Sequence, residues 1–180
     1  MRRPDDHSWA FGDSLDDDTL AVLGTVPGRW GRMTPLSRLL IVETGRLLRE
    51  HHLLPEVGRC FEGGIRAGLI GGCRRGSLQT DLDFIESMRL GVGFASPALF
   101  GYTLPNTPLA EAAGHFGLVG PVYALLDDEK PYEMAVGEAE QLLQAMPELA
   151  FIVAGSFDLL PADKKGLQPR LVAQLTVIER

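Results

Sequence analysis

The stretch Ala95-Ser96-Pro97-Ala98-Leu99-Phe100-Gly101-Tyr102-Thr103-Leu104-Pro105-Asn106-Thr107 leads through a small-residue run into Gly117-Leu118-Val119-Gly120-Pro121. Pro105 fixes its own φ and pushes Leu104 into extended backbone, so the chain approaches the next element stiffly. Asn106 or Thr107 then offers a side-chain acceptor for a helix start. The reading is a turn-rich tract over 91–108, a capped helix over 108–116 and a stop at Gly117. Ala110, Ala112, Ala113 and Gly114 make that helix thin enough to pack closely on a neighbour. A strand over 120–126 follows.

Downstream, residues 131–146 predict a strong helix with Ala135, Ala139, Leu142, Leu143 and Met146 on one face. Residues 149–155 form an almost unbroken apolar strand, the pattern of burial on both sides. Residues 170–179 alternate apolar and polar, as a last strand does. Upstream, Thr34 can cap and Pro35 fits the first helical position, which predicts a helix to about residue 51. It carries Leu36, Leu39, Leu40 and Leu47 on one face and Arg38, Glu43 and Arg46 opposite. A buried strand is expected over 65–72. A helix is expected over 77–89, with Leu78, Leu82, Ile85 and Met88 in one stripe. Residues 18–24 read as a first strand. Residues 1–17 read as loosely held except where Trp9 and Phe11 dock.

Strands alternating with helices point to a layered α/β domain on a mixed or parallel sheet. The chain has 180 residues, 45% of them apolar and 23% charged, enough for one core and without a repeat or linker that divides it. No run approaches the roughly 20 apolar residues of a membrane span. The net charge of −7 argues against a nucleic-acid partner. The N-terminus lacks the apolar core of a signal peptide, so a cytoplasmic protein is expected. Cys60 and Cys73 read as ordinary reduced thiols rather than a disulfide. His51-His52 read as solvated, not as metal ligands. No phosphate-binding loop occurs around Gly63-Gly64 or Gly71-Gly72, and neither metal nor cofactor is implied.

The 95–121 stretch resembles the β-ketoacyl synthase family. Its members carry a similar run of Ser-Pro, Phe, Leu-Pro-Asn, a small-residue helix and Phe-Gly-Leu-x-Gly-Pro before the active-site strand. Met33-Thr34-Pro35-Leu36-Ser37-Arg38 is similar to the family's Met-Ser-Arg helix start. Phe151-Ile152-Val153-Ala154-Gly155 is similar to its apolar strand ending in a Gly-rich turn. The resemblance spans about residues 30–160. It implies a layered mixed sheet with helices on both faces, like the N-terminal half of a thiolase-like fold.

Family members hold a nucleophilic cysteine at the end of the active-site strand, on the N-terminus of the next helix. There the helix dipole lowers the thiol pKa and the thiolate takes the acyl chain. Counted without gaps from Gly120-Pro121, the matching position here is Glu129. A carboxylate suits that position electrostatically but cannot form an acyl thioester. Asp127-Asp128-Glu129 read as caps of the helix begun by Pro131; Glu129 as a general base is the alternative. Neither Cys60 nor Cys73 falls at the nucleophile position. The family's two catalytic histidines lie in a second half that the resemblance does not reach, and His115 reads as a surface or packing residue.

The resemblance implies pocket or interface roles for Phe100, Thr103, Leu104, Asn106, Val122, Tyr123, Leu125 and Asp128. A first half alone would leave the Ala135, Ala139, Leu142 and Leu143 face without cover, so association is expected. The expected partner is a second copy or a ketosynthase. An acyl-carrier protein is a further candidate, through Arg66, Arg74, Arg75 and Arg89. The function expected first is a non-catalytic, chain-length-factor-like subunit of fatty-acid or polyketide synthesis. The others are an enzyme that decarboxylates or hydrolyses thioesters through Glu129, and a degenerate or truncated ketosynthase without activity.

Overall fold

A computed structural model describes residues 15–54, 64–161 and 169–180. Trp9, Phe11 and Cys60 lie outside the described residues.

Strand β1 (Gly68–Cys73) is buried at every residue and organises the sheet. It pairs in parallel with β2 (Val122–Leu126) on one side and with β3 (Ile152–Leu160) on the other. Strand β4 (Arg170–Ile178) pairs antiparallel with β3, giving a mixed four-stranded sheet in the order β2-β1-β3-β4. Successive side chains leave a strand on opposite faces, and both faces are apolar here. Leu69, Val153 and Phe157 face one core, Ile70, Ile152 and Ala154 the other. That double burial is why the run through residue 154 reads as continuous apolar sequence.

Helices α2 (Pro35–Glu50) and α5 (Asn106–Phe116) cover the first face, and α6 (Pro131–Ala145) covers the second. Helix α2 begins as its sequence predicts: Thr34 Oγ1 accepts the Ser37 N–H at 3.4 Å, and Pro35 follows it. Its Arg38 donates to the Trp30 carbonyl at 3.0 Å and lies over the Trp30 ring. Glu43 and Arg46 pair at 2.9 Å on the same helix. Helix α3 (Leu78–Ser87) and the short α4 (Pro97–Phe100) fill the crossover from β1 towards α5.

Residues 18–24 are not a strand. They form most of α1 (Asp17–Leu23), because Asp16 caps it by accepting the Thr19 N–H at 2.7 Å, and Asp17 and Asp18 favour its positive end. Strand β1 starts three residues later than expected; Ile65 makes only a single bridge to Leu118 before it. Strand β3 does not end at Gly155 but runs through it to Leu160. A side chain at Gly155 would strike the Gln174 backbone, so only glycine lets β4 come this close. Helix α3 has the expected span, yet its apolar stripe points outward: Leu82 and Ile85 are exposed.

The small apolar face of α6 needs no outside cover. Ala135, Ala139 and Leu143 are buried against this chain's own β1 and β3, while Glu133, Glu140, Gln141 and Gln144 face solvent. The expectation of an unpartnered Ala135–Leu143 face is therefore corrected. Its cause lies in Gly72: a Cβ there would run into the Pro131 carbonyl, so glycine allows the first turn of α6 to lie directly on β1.

Candidate functional site

The carboxyl ends of the three parallel strands meet the first turn of α6, the place where α/β sheets commonly hold ligands. A cavity of about 680 Å³ opens there. Arg74 and Arg75 line it from the loop after β1, Asp128 and Glu129 from the loop after β2, and Tyr132 from α6. Ser156, Asp158 and Gln174 close it from β3 and β4.

Asp127 organises the loop after β2. Its Oδ1 accepts the N–H groups of Glu129 at 2.8 Å and Lys130 at 2.5 Å. Those backbone donors, Lys130's first, hold its carboxyl below the usual range. Only Asp127 of the three acids caps, and it caps the turn before the helix; Lys130 stands at the start of α6 without a side-chain cap. Asp128 instead pairs with Arg75 at 3.2 Å. Glu129 is exposed, and its backbone carbonyl accepts the Arg74 guanidinium at 2.8 Å.

Opposite this loop, Asp158 of β3 is buried and accepts three consecutive backbone N–H groups: Arg74 at 3.2 Å, Arg75 at 2.7 Å and Gly76 at 2.7 Å. It fixes the β1–α3 loop and so places both arginines. Sequence reasoning missed it, although a lone acid inside an apolar strand was the available signal. Cys73 closes the same corner. Its Sγ donates to the Leu125 carbonyl at 3.6 Å, and the thiol is buried. Burial, then the Asp158 charge, push it up to about 12 against the Gly76 N–H. A thiol held protonated is a packing group, not an attacker.

The other sequence candidates do not line the cavity. Asn106 does not cap α5; its Oδ1 accepts the Ala124 N–H at 2.7 Å, tying the helix start to β2. The Thr103 carbonyl accepts the Ser77 hydroxyl at 2.5 Å. Leu104 and Phe100 are exposed, and the Phe100 ring lies 5.5 Å from that of Phe84. Val122 packs towards α2 and α5, whereas Tyr123 and Leu125 pack beneath α6. The Tyr123 hydroxyl donates to Glu138, and burial, then that carboxylate, raise the phenol to about 12. His115 lies edge-on to Phe116, its Nε2 3.1 Å from the Leu23 carbonyl, a packing position on α5. Among the described residues no cluster of three or more His, Cys, Asp or Glu could hold a metal ion. No described helix is long and apolar enough to cross a membrane.

No family model matches the chain, and no curated protein matches it in sequence. Solved structures do match its fold. It is similar to the ishigamide ketosynthase/chain length factor, with 18% identity and a TM-score of 0.68 over 93% of this chain and 48% of that one. It is similar to a ketosynthase (ApeO) in complex with its chain length factor (ApeC) from Xenorhabdus doucetiae, with 18% identity and a TM-score of 0.55, over 94% of this chain and 74% of that one. A beta-ketoacyl synthase from Burkholderia phymatum STM815 matches at 15% identity and a TM-score of 0.61, over 94% of this chain and 47% of that one. The chain thus has the mixed α/β fold of the ketosynthase and chain-length-factor structures, over about half the length of the first of them.

Proposed function

We propose that this chain is a non-catalytic, chain-length-factor-like subunit that pairs with a ketosynthase in polyketide or fatty-acid biosynthesis in the cytoplasm. One observation carries the reading. In a ketosynthase-like fold, the turn that leads from β2 into α6 bears an exposed Glu129, while the one described thiol, Cys73, is buried and protonated. A carboxylate does not supply the covalent acyl carrier that condensation needs. The names of two matched structures, each a ketosynthase with a chain length factor, support the choice of partner.

In this reading the chain contributes shape and the partner contributes chemistry. The outer edge of β2, with Thr103, Leu104 and Asn106 beside it, lies at the contact. Arg74 bonds the Glu129 carbonyl and Arg75 pairs with Asp128, so two of the four candidate carrier-protein arginines also order this chain's own loop.

The test is co-expression with each ketosynthase encoded in the source genome, followed by affinity purification and an acyl-elongation assay. A 1:1 complex that elongates, beside an inert chain alone, is expected. A chain that binds none of them, or elongates by itself, overturns the proposal.

A further inference from the structure

Another cavity, of about 430 Å³, lies between the starts of α2 and α3, helix α4 and the end of β3. It shares no described lining residue with the 680 Å³ cavity. Leu159 lines it, whereas Asp158 and Leu160, on the opposite face of β3, line the other. Met33, Tyr102 and Leu159 are buried in its walls, and Arg32, Asp83 and Ala98 stand exposed on its rim. A mostly apolar concavity of this size with few polar groups is the ordinary form of a small-molecule site.

Thr80 marks where a ligand would bond. It lines the cavity, is 3% exposed, and is the buried residue of α3. Its hydroxyl has no hydrogen-bond partner among the described residues. A helical threonine commonly donates to the carbonyl four residues back, but the Gly76 carbonyl instead accepts the Leu159 N–H at 2.9 Å. The neighbouring hydroxyls are already engaged: that of Tyr102 donates to Glu111 at 3.1 Å, and Thr34 Oγ1 accepts the Ser37 N–H at 3.4 Å. A buried hydroxyl left unpaired beside satisfied neighbours calls for a partner from outside the chain.

The charges around the cavity select against an ion. Arg32 and Asp83 bring one of each sign to the rim, and Asp83 accepts the Gln79 amide at 2.7 Å. The start of α2 has little to offer an anion, because Pro35 has no N–H and Thr34 holds that of Ser37. A charge placed among the apolar walls would lose its hydration without compensation. We infer that this cavity binds a small neutral molecule. Its apolar ring or short alkyl body rests on Met33, Tyr102 and Leu159, and its single hydroxyl or carbonyl pairs with Thr80. The site is independent of the ketosynthase pairing proposed above.

Cyclohexanol is the probe, titrated into the isotope-labelled full chain and read by backbone amide shifts. The shifts should saturate and concentrate at residues 79–83 and 98–102. Thr80→Val, which keeps the shape and removes the hydroxyl, should weaken binding about fivefold, the effect of one hydrogen bond. Ala98→Trp, on the exposed rim, should abolish it. Cyclohexanecarboxylate should bind at least about tenfold more weakly than cyclohexanol. Circular dichroism checks that both variants fold; if Thr80→Val does not, the Ala98→Trp and carboxylate comparisons still decide. No saturable shift at these residues, or binding that survives Ala98→Trp, overturns the inference. Unchanged affinity in Thr80→Val overturns the role of Thr80, and a carboxylate that binds as tightly as the alcohol overturns the neutral class. None of these outcomes bears on the ketosynthase pairing.

Discussion

The side-chain oxygen of Asn106 accepts the backbone N–H of Ala124 at 2.7 Å. The ladder bonds from Leu69 to Pro121 and from Asp127 to Cys73 turn the alternate residues of β2 towards β1. Ala124 therefore points its N–H away from the sheet, and Asn106 occupies the place of a fifth strand's carbonyl. A side chain on a free edge limits indiscriminate strand pairing. Asn106→Ala should cost about 0.5–1.5 kcal/mol in urea unfolding. It should also raise concentration-dependent self-association in sedimentation velocity, while Asn106→Asp, which keeps the acceptor, should do so less.

Asp158 should matter more than any exposed charge. Asp158→Ala leaves three backbone donors of the β1–α3 loop without their acceptor in a buried corner. A loss of about 2–4 kcal/mol is expected from the unmet donors. Hydrogen exchange of the Arg74, Arg75 and Gly76 amides should accelerate, which a general loss of packing elsewhere would not single out.

Two glycines should respond with opposite sign. Gly72→Ala drives a methyl group into the Pro131 carbonyl and should destabilise by about 3 kcal/mol or more, since neither backbone can retreat. Gly114 lies in α5 with nothing within 4 Å of a Cβ added there. Gly114→Ala should stabilise by about 0.5–1 kcal/mol through helix propensity. Thermal melts of the two variants test both.

The buried thiol makes stability fall in alkali. Below about pH 9 Cys73 is neutral both folded and unfolded. Between its ordinary value of 9.0 and its folded value of about 12, only the unfolded chain releases that proton. Unfolding is favoured as pH rises through that window. Urea midpoints measured at pH 8 and pH 10.5 should differ less for Cys73→Ala than for the unaltered chain. Iodoacetamide should modify Cys73 only after unfolding, read by mass spectrometry of its peptide.

Glu129→Gln should change little. The side chain is exposed and its carbonyl, not its carboxylate, holds Arg74. Stability should stay within about 0.5 kcal/mol. Thioester hydrolysis or decarboxylation by the purified chain should stay at the buffer rate before and after the change. A rate above buffer that the substitution removes would restore the enzymatic reading.

The periodicities and punctuation of the sequence determined most of the elements. Thr34-Pro35 placed α2, the small residues of 131–146 placed α6, and the unbroken apolar run through residue 154 announced a strand covered on both faces. These signals are local: a cap, a period and a composition act within a few residues of themselves. The resemblance in 95–121 indicated the fold for the same reason, being a contiguous motif. Tertiary structure alone decided which way each face turned. Nothing within α3 distinguishes a stripe turned to the core from one left exposed, because the difference lies in whether another element arrives to cover Leu82 and Ile85. Nothing near Asn106 announced Ala124 as its partner in place of the helix start, and nothing near Gly72 announced the first turn of α6. Hydrogen bonds and steric contacts between residues distant in the chain depend on the packed arrangement, which local propensity does not encode.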